Sequence, residues 1–438
     1  MRVEPRAPAD IALLAALKGV AMLLALRAGF AQISDDDYAR TVIAQSFAHA
    51  PKLDPSGTSW LPLPFWLYGG AMMVFGRSLA TARALAFVLG LASPAVPYFG
   101  LRSMQSSRLV AIGGAALVSL TPWSVWLGLA PVPEGWAGLL VGSAFFFLAA
   151  RTARGTLTAG ALILVGSLSR YEAWPAAALV AAVALLRVRG STDRTRLANL
   201  AAVGIAVLGP LAWIAHNAHA HGDAFHFFAR VAAFRRANTG VVPLGERVME
   251  YPLALLRDAP EIAVLSLVSV FAFSRNGELR SAWAIPLLGG ATVMALLVWG
   301  DVRDGAPTHH PARALLPVMC VLAGAGAAGL REVVRAVRGR VAREAWVVAA
   351  LVFSVIFGVG TAIAHVRDVP GNGPTERRDA QIARGRDLAA QRIEHLTVTP
   401  CAYEHFALIA AFGAPERVDI AQGPRQPVTP DCPSVQAE

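Results

Sequence analysis

The sequence predicts an all-α polytopic membrane protein with about 11 transmembrane helices, and three observations lead to this prediction. Of the 438 residues, 55% are hydrophobic and only 16% are charged, with a mean hydropathy of +0.51. This is too little charge to cover a soluble globule of such length. Apolar runs close to the roughly 20 residues that a bilayer requires recur along most of the chain. Arginines cluster between those runs, as is typical of cytoplasmic loops.

The first two apolar runs set the predicted topology. Residues 11–30 follow Arg2 and Arg6 and end without a good small-residue cleavage site. We therefore expect an uncleaved first span and a cytoplasmic N-terminus. Residues 61–76 are shorter than a span and contain Pro62, Pro64, Gly69 and Gly70. We expect this run to form an interfacial helix on the outer leaflet, with Trp60 and Phe65 at the level of the headgroups.

Ten further spans complete the transmembrane domain. They are predicted at 79–101, 109–127, 135–150, 156–168, 174–186, 197–215, 260–273, 282–299, 314–330 and 345–364. This arrangement places five arginine clusters in cytoplasmic loops, as the positive-inside rule requires. These clusters lie within 102–108, 151–154, 187–196, 275–280 and 331–343. Residues 216–258 then form a long outer loop.

The chain divides into a transmembrane domain, 1–364, which includes the first outer loop at 31–78, and a small periplasmic appendage, 365–438. Residue patterns in the appendage predict an α/β unit. Its helices are expected at 379–395 and 403–412, and its strands at 396–399 and 417–420. Cys401 and Cys432 lie in this appendage, and spacing alone leaves open whether they form a disulfide. Cys320 lies inside a span, where packing accounts for it.

Neither charge nor motifs indicate nucleotide or nucleic-acid chemistry. A net charge of +10 and a pI near 10.3 would suit nucleic acid, but membrane topology accounts better for arginines placed between apolar runs. The sequence contains no hydrolase triad, P-loop, dinucleotide fingerprint or Cys/His zinc spacing. We therefore expect the chemistry in the polar loops that meet at the outer face of the membrane.

Three consecutive carboxylates, Asp35, Asp36 and Asp37, open the first outer loop. Following directly on an apolar helix, they repel one another and must be solvated, neutralised or held for chemistry. A hydroxyl acceptor is a poor nucleophile and needs a carboxylate within hydrogen-bond reach to take its proton, so Asp35 is a candidate general base. The ordinary alternative is a solvated helix start, with an aspartate as N-cap before a helix at 38–47.

The order of the motifs resembles the GT-C superfamily of glycosyltransferases that use lipid-linked sugars. Its closest branch is the one that contains protein O-mannosyltransferases and the lipid A aminoarabinose transferase. Asp35-Asp36-Asp37-Tyr38-Ala39 is similar to the catalytic acidic motif of that family, and residues 60–76 are similar to the juxtamembrane helix that follows it. Further similar segments are Leu120-Thr121-Pro122-Trp123 leading to Pro133-Glu134, Arg170-Tyr171-Glu172, Asn217 with Gly222-Asp223, and His310-Pro311-Ala312-Arg313. Together they cover roughly 13–330.

The resemblance implies transfer of a sugar from a polyprenyl phosphate to an acceptor hydroxyl, with inversion at the anomeric carbon, on the periplasmic side of a bacterial inner membrane. The acceptor is a lipid, a glycan or a protein, and a membrane-embedded donor explains why no nucleotide-binding fold is present. The implied catalytic residues are Asp35, Asp36 and Glu134. The implied substrate-binding residues are Tyr38, Trp60, Arg170, Tyr171, Glu172, Asn217, Asp223, His309, His310 and Arg313.

One departure from the family affects the donor phosphate. The basic residue that many relatives carry just before the juxtamembrane helix is replaced here by Ser59-Trp60. We therefore expect Arg313, with His309 and His310, to stabilise the charge on the departing phosphate.

Each assignment has a structural alternative. Glu134 is also placed to cap the helix that follows it, and Arg170 with Glu172 is also placed to form an ion pair at a helix end. The segment His216–His226 is rich in histidine and invites a metal interpretation, although such a loop also suits a wet surface. Whether a divalent cation is needed stays open. For function, the alternatives are a flippase for a lipid-linked sugar and a ligase that passes on a polysaccharide from its lipid carrier.

Overall fold

A computed structural model describes residues 6–190, 192–238, 242–303, 310–337, 340–373, 376–400, 402–421 and 434–437. This part of the chain is mainly helical, with one small sheet. The helices up to the middle of the chain are α1 (Ala7–Arg27), α2 (Asp36–His49), α3 (Leu63–Phe75), α4 (Leu79–Ala92), α5 (Ala95–Ser103), α6 (Arg108–Ser119), α7 (Pro122–Leu127), α8 (Glu134–Ala149), α9 (Ala153–Ser167), α10 (Ala173–Val188) and α11 (Asp193–His221). The later ones are α12 (His226–Asn238), α13 (Leu244–Asp258), α14 (Pro260–Arg275), α15 (Gly277–Val302), α16 (Pro311–Ala314), α17 (Leu316–Val337), α18 (Arg340–Ala364), α19 (Asp379–Ala390) and α20 (His405–Phe412).

The predicted class, an all-α polytopic membrane protein, is confirmed. Among the described residues, six helical segments are long and apolar enough to cross a membrane: Ala7–Arg27, Leu79–Ser103, Asp193–His221, Gly277–Val302, Leu316–Ala336 and Glu344–Ala364. The other five predicted spans coincide with shorter helices or a broken pair, namely α6 with α7, α8, α9, α10 and α14. The predicted interfacial helix is α3, whose 13 residues are too few for a perpendicular span.

Small residues and one buried lysine hold the helices together. Helix α17 packs so closely on α14 that a Cβ atom on Gly329 would lie 2.4 Å from Ser269 Cα, which is the close backbone approach that small residues permit between membrane helices. Between α6 and α7 the helix breaks and leaves carbonyl groups without partners. The Lys18 ammonium of α1 donates to one of them, Ser119 O at 2.7 Å, and also to Ser124 O within α7 at 2.6 Å. This bonding ties α1 to the break.

Most of the predicted outer loop at 216–258 is helical. Helix α11 continues to His221, where Gly222 ends it in the left-handed conformation with φ 70°. Helices α12 and α13 follow, and α13 buries Tyr251 and Ala254 on one side. The one-sided spacing of apolar residues in α13 is typical of an amphipathic helix.

The appendage forms the predicted α/β unit, with an additional strand. Strands β1 (Leu396–Thr399), β2 (Val418–Ile420) and β3 (Ser434–Ala437) form a sheet in the order β2-β1-β3. β1 runs parallel to β2 and antiparallel to β3. The first helix of the unit, α19, ends at Ala390, earlier than predicted. Cys401 and Cys432 lie outside the described residues, so their pairing stays a prediction, whereas Cys320 is buried and reduced.

Candidate functional site

Loops that are far apart in sequence meet at one end of the helix bundle. They are the turn before α2, the turn before α8, the turn between α9 and α10, and helix α16. Glu134, Arg170 and Arg313 come from three of these and form one ion-pair network. Asp36, from the acidic turn, lies 3.6 Å from Arg313. The carboxylates and arginines singled out from the sequence are therefore neighbours in space.

Glu134 is the centre of that network. Its side chain is 2% exposed, and Oε1 accepts hydrogen bonds from Arg313 Nη2 at 2.7 Å and Arg170 Nη1 at 3.0 Å. Arg170 is also bound to Glu172 through Nε at 3.1 Å and through a second, shorter contact. Glu134 lies at the first turn of α8, where a carboxylate also benefits from the helix dipole. A small pocket borders these four residues, which we call the Glu134 network.

The three aspartates have different surroundings. Asp35 is held by Arg378 from the appendage, with Nε 2.8 Å from Oδ1 and Nη2 2.9 Å from Oδ2. Asp36 is 44% exposed on its side chain and faces Arg313. Asp37 is buried, its Oδ2 accepts from the Ile33 N–H at 2.9 Å, and burial raises its pKa to about 7. Asp36 therefore faces Arg313 in the site, Asp35 is bound by the appendage, and Asp37 shapes the turn.

Arg40 is a site residue that the sequence reasoning missed. It lies one helical turn after Asp36 on α2, its guanidinium is buried, and it stacks over Trp60 at 4.4 Å from the ring centroid. Its Nε has no hydrogen-bond partner among the residues that the structure describes. Burial lowers its pKa, and the charges of Glu134 and Asp36 oppose that change. The spacing of four residues between Asp36 and Arg40 was the available signal, because such residues share a helix face.

The predicted aromatic residues form the wall next to Arg40 and the Glu134 network. The Arg40 guanidinium lies over the Trp60 ring in a cation–π contact. The Tyr171 hydroxyl donates to Ser59 O at 2.7 Å and accepts from Trp213 Nε1 at 3.0 Å. Tyr38 instead faces the appendage, where it packs with Ile382 and donates to Gln32. Tyr38 is therefore a packing residue in this structure, while Trp60 and Tyr171 border the site.

Three other predicted residues make contacts outside the network. His310 stacks on Trp123, with ring centroids 6.1 Å apart. Asn217 is buried and donates to Trp213 O of its own helix at 2.8 Å. Asp223 accepts from the Phe225 N–H at 2.9 Å in an exposed turn after α11. His309 lies outside the described residues. These contacts give His310, Asn217 and Asp223 structural partners without bringing them to Glu134.

The carboxylates at the site do not form a metal-binding set. Both oxygens of Asp35 are bound by Arg378, and Oε1 of Glu134 is bound by two arginines. In the described ranges, no group of three or more His, Cys, Asp and Glu side chains is arranged to hold a metal ion. In the histidine-rich segment, the His221 and His226 rings stack on each other with centroids 4.2 Å apart.

Three solved structures share this fold. ArnT from Cupriavidus metallidurans bound to undecaprenyl phosphate matches with a TM-score of 0.55, and its apo state matches with 0.51; each match covers 93% of this chain and 88% of that chain at 14% identity. The archaeal oligosaccharyltransferase AglB from Archaeoglobus fulgidus, in complex with an inhibitory peptide and a dolichol-phosphate, matches with a TM-score of 0.51 at 14% identity.

The AglB match covers 91% of this chain, which spans 63% of the length of AglB. No protein-family model and no curated protein sequence matches. The chain therefore shares the fold of ArnT and AglB, which is the fold that its motifs predicted.

Proposed function

We propose that this chain is a membrane glycosyltransferase that moves a sugar from a polyprenyl-phosphate carrier to an acceptor hydroxyl, with inversion at the anomeric carbon. The proposal rests on one observation: the site contains both carboxylates, which an acceptor hydroxyl needs, and a buried cation, which a donor phosphate needs. Asp35 and Asp36 supply carboxylates to a hydroxyl acceptor, and the buried guanidinium of Arg40 has no ion-pair partner in the described part of the chain. A GT-C fold surrounds both.

The carboxylate side of the site serves the acceptor. Asp35 is the proposed general base, and Asp36 lies beside it with almost half of its side chain exposed. As the bond from the acceptor oxygen to the anomeric carbon forms, the hydroxyl proton passes to Asp35. The bond from that carbon to the phosphate oxygen breaks, and its electron pair goes to the phosphate. Glu134 holds Arg313 in place for this step.

The cation side of the site serves the donor. Arg40 is proposed to bind the phosphate, because an anion would satisfy a buried guanidinium whose Nε has no partner. Trp60 lies flat against the guanidinium and restricts its motion. Arg313 stabilises the charge that develops as the phosphate leaves. ArnT bound to undecaprenyl phosphate and AglB bound to a dolichol-phosphate support a lipid phosphate as the ligand class.

The proposed setting is a bacterial inner membrane with the site facing the periplasm, and the acceptor is a lipid, a glycan or a protein. The positive-inside distribution of arginines supports this orientation. We derive no step through a divalent cation, since no group of three or more His, Cys, Asp and Glu side chains in the described ranges is arranged to hold one.

Transfer of radiolabelled sugar from a panel of polyprenyl-phosphate sugars into lipid, glycan and protein fractions tests the proposal. We expect label in one fraction with the purified parent protein, and a loss of about 100-fold or more with Asp35→Asn. Asp193→Asn is the matched control, because Asp193 is exposed at the start of α11. Movement of labelled lipid across liposomes by parent and Asp35→Asn alike, without donor consumption, would instead identify a flippase.

A further inference from the structure

The strongest contact between the appendage and the acidic turn is made by Arg378. Its guanidinium binds Asp35 in a bidentate manner, with N–O distances of 2.8 Å and 2.9 Å, across 343 residues of sequence. Arg378 is 11% exposed and Asp35 is 21% exposed on their side chains. Bidentate guanidinium–carboxylate pairs fix geometry as well as add energy. The pair is therefore placed to control the orientation of Asp35 while leaving one side of the carboxylate accessible.

The appendage does not depend on this pair for its position. Gln32 Nε2 donates to Glu376 O at 2.9 Å, two residues before Arg378. Gln45 Nε2 donates to Ala410 O at 2.8 Å. A second bidentate pair joins Arg77, next to α3, to Glu416 at 2.7 Å and 2.8 Å. These contacts hold the backbone of the appendage against α2 and α3. The backbone position of Arg378 relative to Asp35 is therefore fixed by contacts other than the pair itself.

We infer that Arg378 is a positioning residue for the proposed general base, so that the appendage completes the active site. The inference rests on the proposed function. Arg378 occupies the lone pairs of Asp35 that face the appendage and stops rotation of the carboxylate about its terminal bond. The remaining lone pairs then point in one direction, where the acceptor hydroxyl binds. Nothing in the sequence motif around Asp35 supplies this constraint, because the partner lies 343 residues away.

A positioning role predicts a characteristic kinetic effect. Removing Arg378 leaves Asp35 present but free to rotate, which reduces the fraction of encounters in a reactive geometry. Misplacement of a catalytic group on the scale of 1 Å costs up to about 100-fold in rate. We therefore expect Arg378→Gln to lower kcat about 10- to 100-fold and to change the KM for the donor less than about threefold, since Arg378 binds Asp35 on the carboxylate side of the site.

Three further variants separate positioning from general support of the fold. Glu416→Gln is the matched control: it breaks the other bidentate contact between the appendage and the membrane domain but leaves Arg378 and Asp35 intact. Arg378→Lys keeps the charge but replaces the fork with a single ammonium, so we expect an intermediate kcat. Arg378→Ala leaves space for added guanidinium ion, and we expect millimolar guanidinium to restore part of its kcat.

The parent protein and the four variants would be compared in the radiolabel transfer assay, after size-exclusion chromatography to select folded protein. A lower kcat in Arg378→Gln, near-parent turnover in Glu416→Gln and rescue of Arg378→Ala by guanidinium would support the inference. Equal turnover in Arg378→Gln and Glu416→Gln, or no rescue of Arg378→Ala, would overturn it while the proposed function stands. No transfer by the parent protein would overturn the proposed function, and this inference with it.

Discussion

Replacing Glu134 with Gln should destabilise the protein by about 3–5 kcal/mol, the usual cost of removing one partner from a buried ion pair. The side chain is 2% exposed and balances two guanidiniums at 2.7 Å and 3.0 Å. Arg170 keeps Glu172 as a partner after the change. Among the described residues, Arg313, which is 6% exposed, then keeps only Asp36 as an ion-pair partner, at 3.6 Å, so most of the cost should come from Arg313.

A double-mutant cycle tests this reasoning about Arg313. Adding Arg313→Met to Glu134→Gln removes the uncompensated cation, so we expect the double variant to recover about 1–3 kcal/mol relative to Glu134→Gln. The assay is unfolding in mixed micelles of sodium dodecyl sulfate and a mild detergent, followed by tryptophan fluorescence. Glu332→Gln serves as the control, because its pair with Arg335 is at 4.0 Å and at least one-third exposed on each side, and such pairs contribute about 1 kcal/mol or less. A free energy of unfolding for Glu134→Gln that is no lower than that of the control would refute the reasoning.

Three further predictions concern α2 and α3. Arg40→Met should raise the midpoint of thermal unfolding, because it removes a buried guanidinium whose Nε has no partner among the described residues. It should also raise the KM for the donor about 10-fold or more, because the contact to the phosphate is lost. A higher midpoint with an unchanged KM would contradict the assignment of Arg40 to the phosphate. Burial raises the pKa of Asp37 from about 3.8 to about 7. The contribution of this shift to the free energy of unfolding is therefore fully present below pH 3.8 and is lost as pH rises through 7. Unfolding midpoints measured from pH 5 to 8 should fall in the parent protein and fall less in Asp37→Asn, with at most about 4 kcal/mol involved at 1.36 kcal/mol per pH unit; parallel curves would refute this. Gly69→Ala should lower the midpoint of thermal unfolding, since a Cβ there would lie 2.5 Å from Phe47 Cδ1. Gly70→Ala is the control and should not lower it, because a Cβ there would have nothing within 4 Å. Equal midpoints for the two variants would show that α3 moves away from α2 without cost.

The helices were predictable because they depend on local sequence. Each span is an apolar run close to bilayer length, and the run before α4 is too short and too rich in proline to cross. The appendage followed from short alternating patterns such as Leu396–Thr399, whose buried and half-buried residues alternate in the structure. The helices within 216–258 were not predicted, although the one-sided apolar spacing of α13 indicates one.

The site was predictable only where a motif and its partner lie in the same segment. Arg170 and Glu172 are two residues apart, and they do form a pair. By contrast, the contacts of Arg313 with Glu134 and of Arg378 with Asp35 join residues 179 and 343 positions apart. Such pairings depend on which helices become neighbours, and a single sequence with no internal repeat contains no information about that. The sequence therefore indicated which residue types matter but not which carboxylate each arginine binds.

The pattern of pairing in the site explains how it can be stable without substrate and still bind an anion. Arg170, Arg313 and Arg378 each bind a carboxylate within the protein, so none of these charges is left unbalanced. The Nε atom of Arg40 lacks a partner among the described residues, and its guanidinium is kept in place by stacking on Trp60. A phosphate bound there would be the first direct partner of this cation. Because Arg40 and Asp36 share a face of α2 one turn apart, with Cβ atoms about 5–6 Å from each other, the anomeric carbon next to that phosphate would lie beside the acidic turn. In the proposed mechanism, the first turns of α2 would therefore place donor and base within about one sugar of each other.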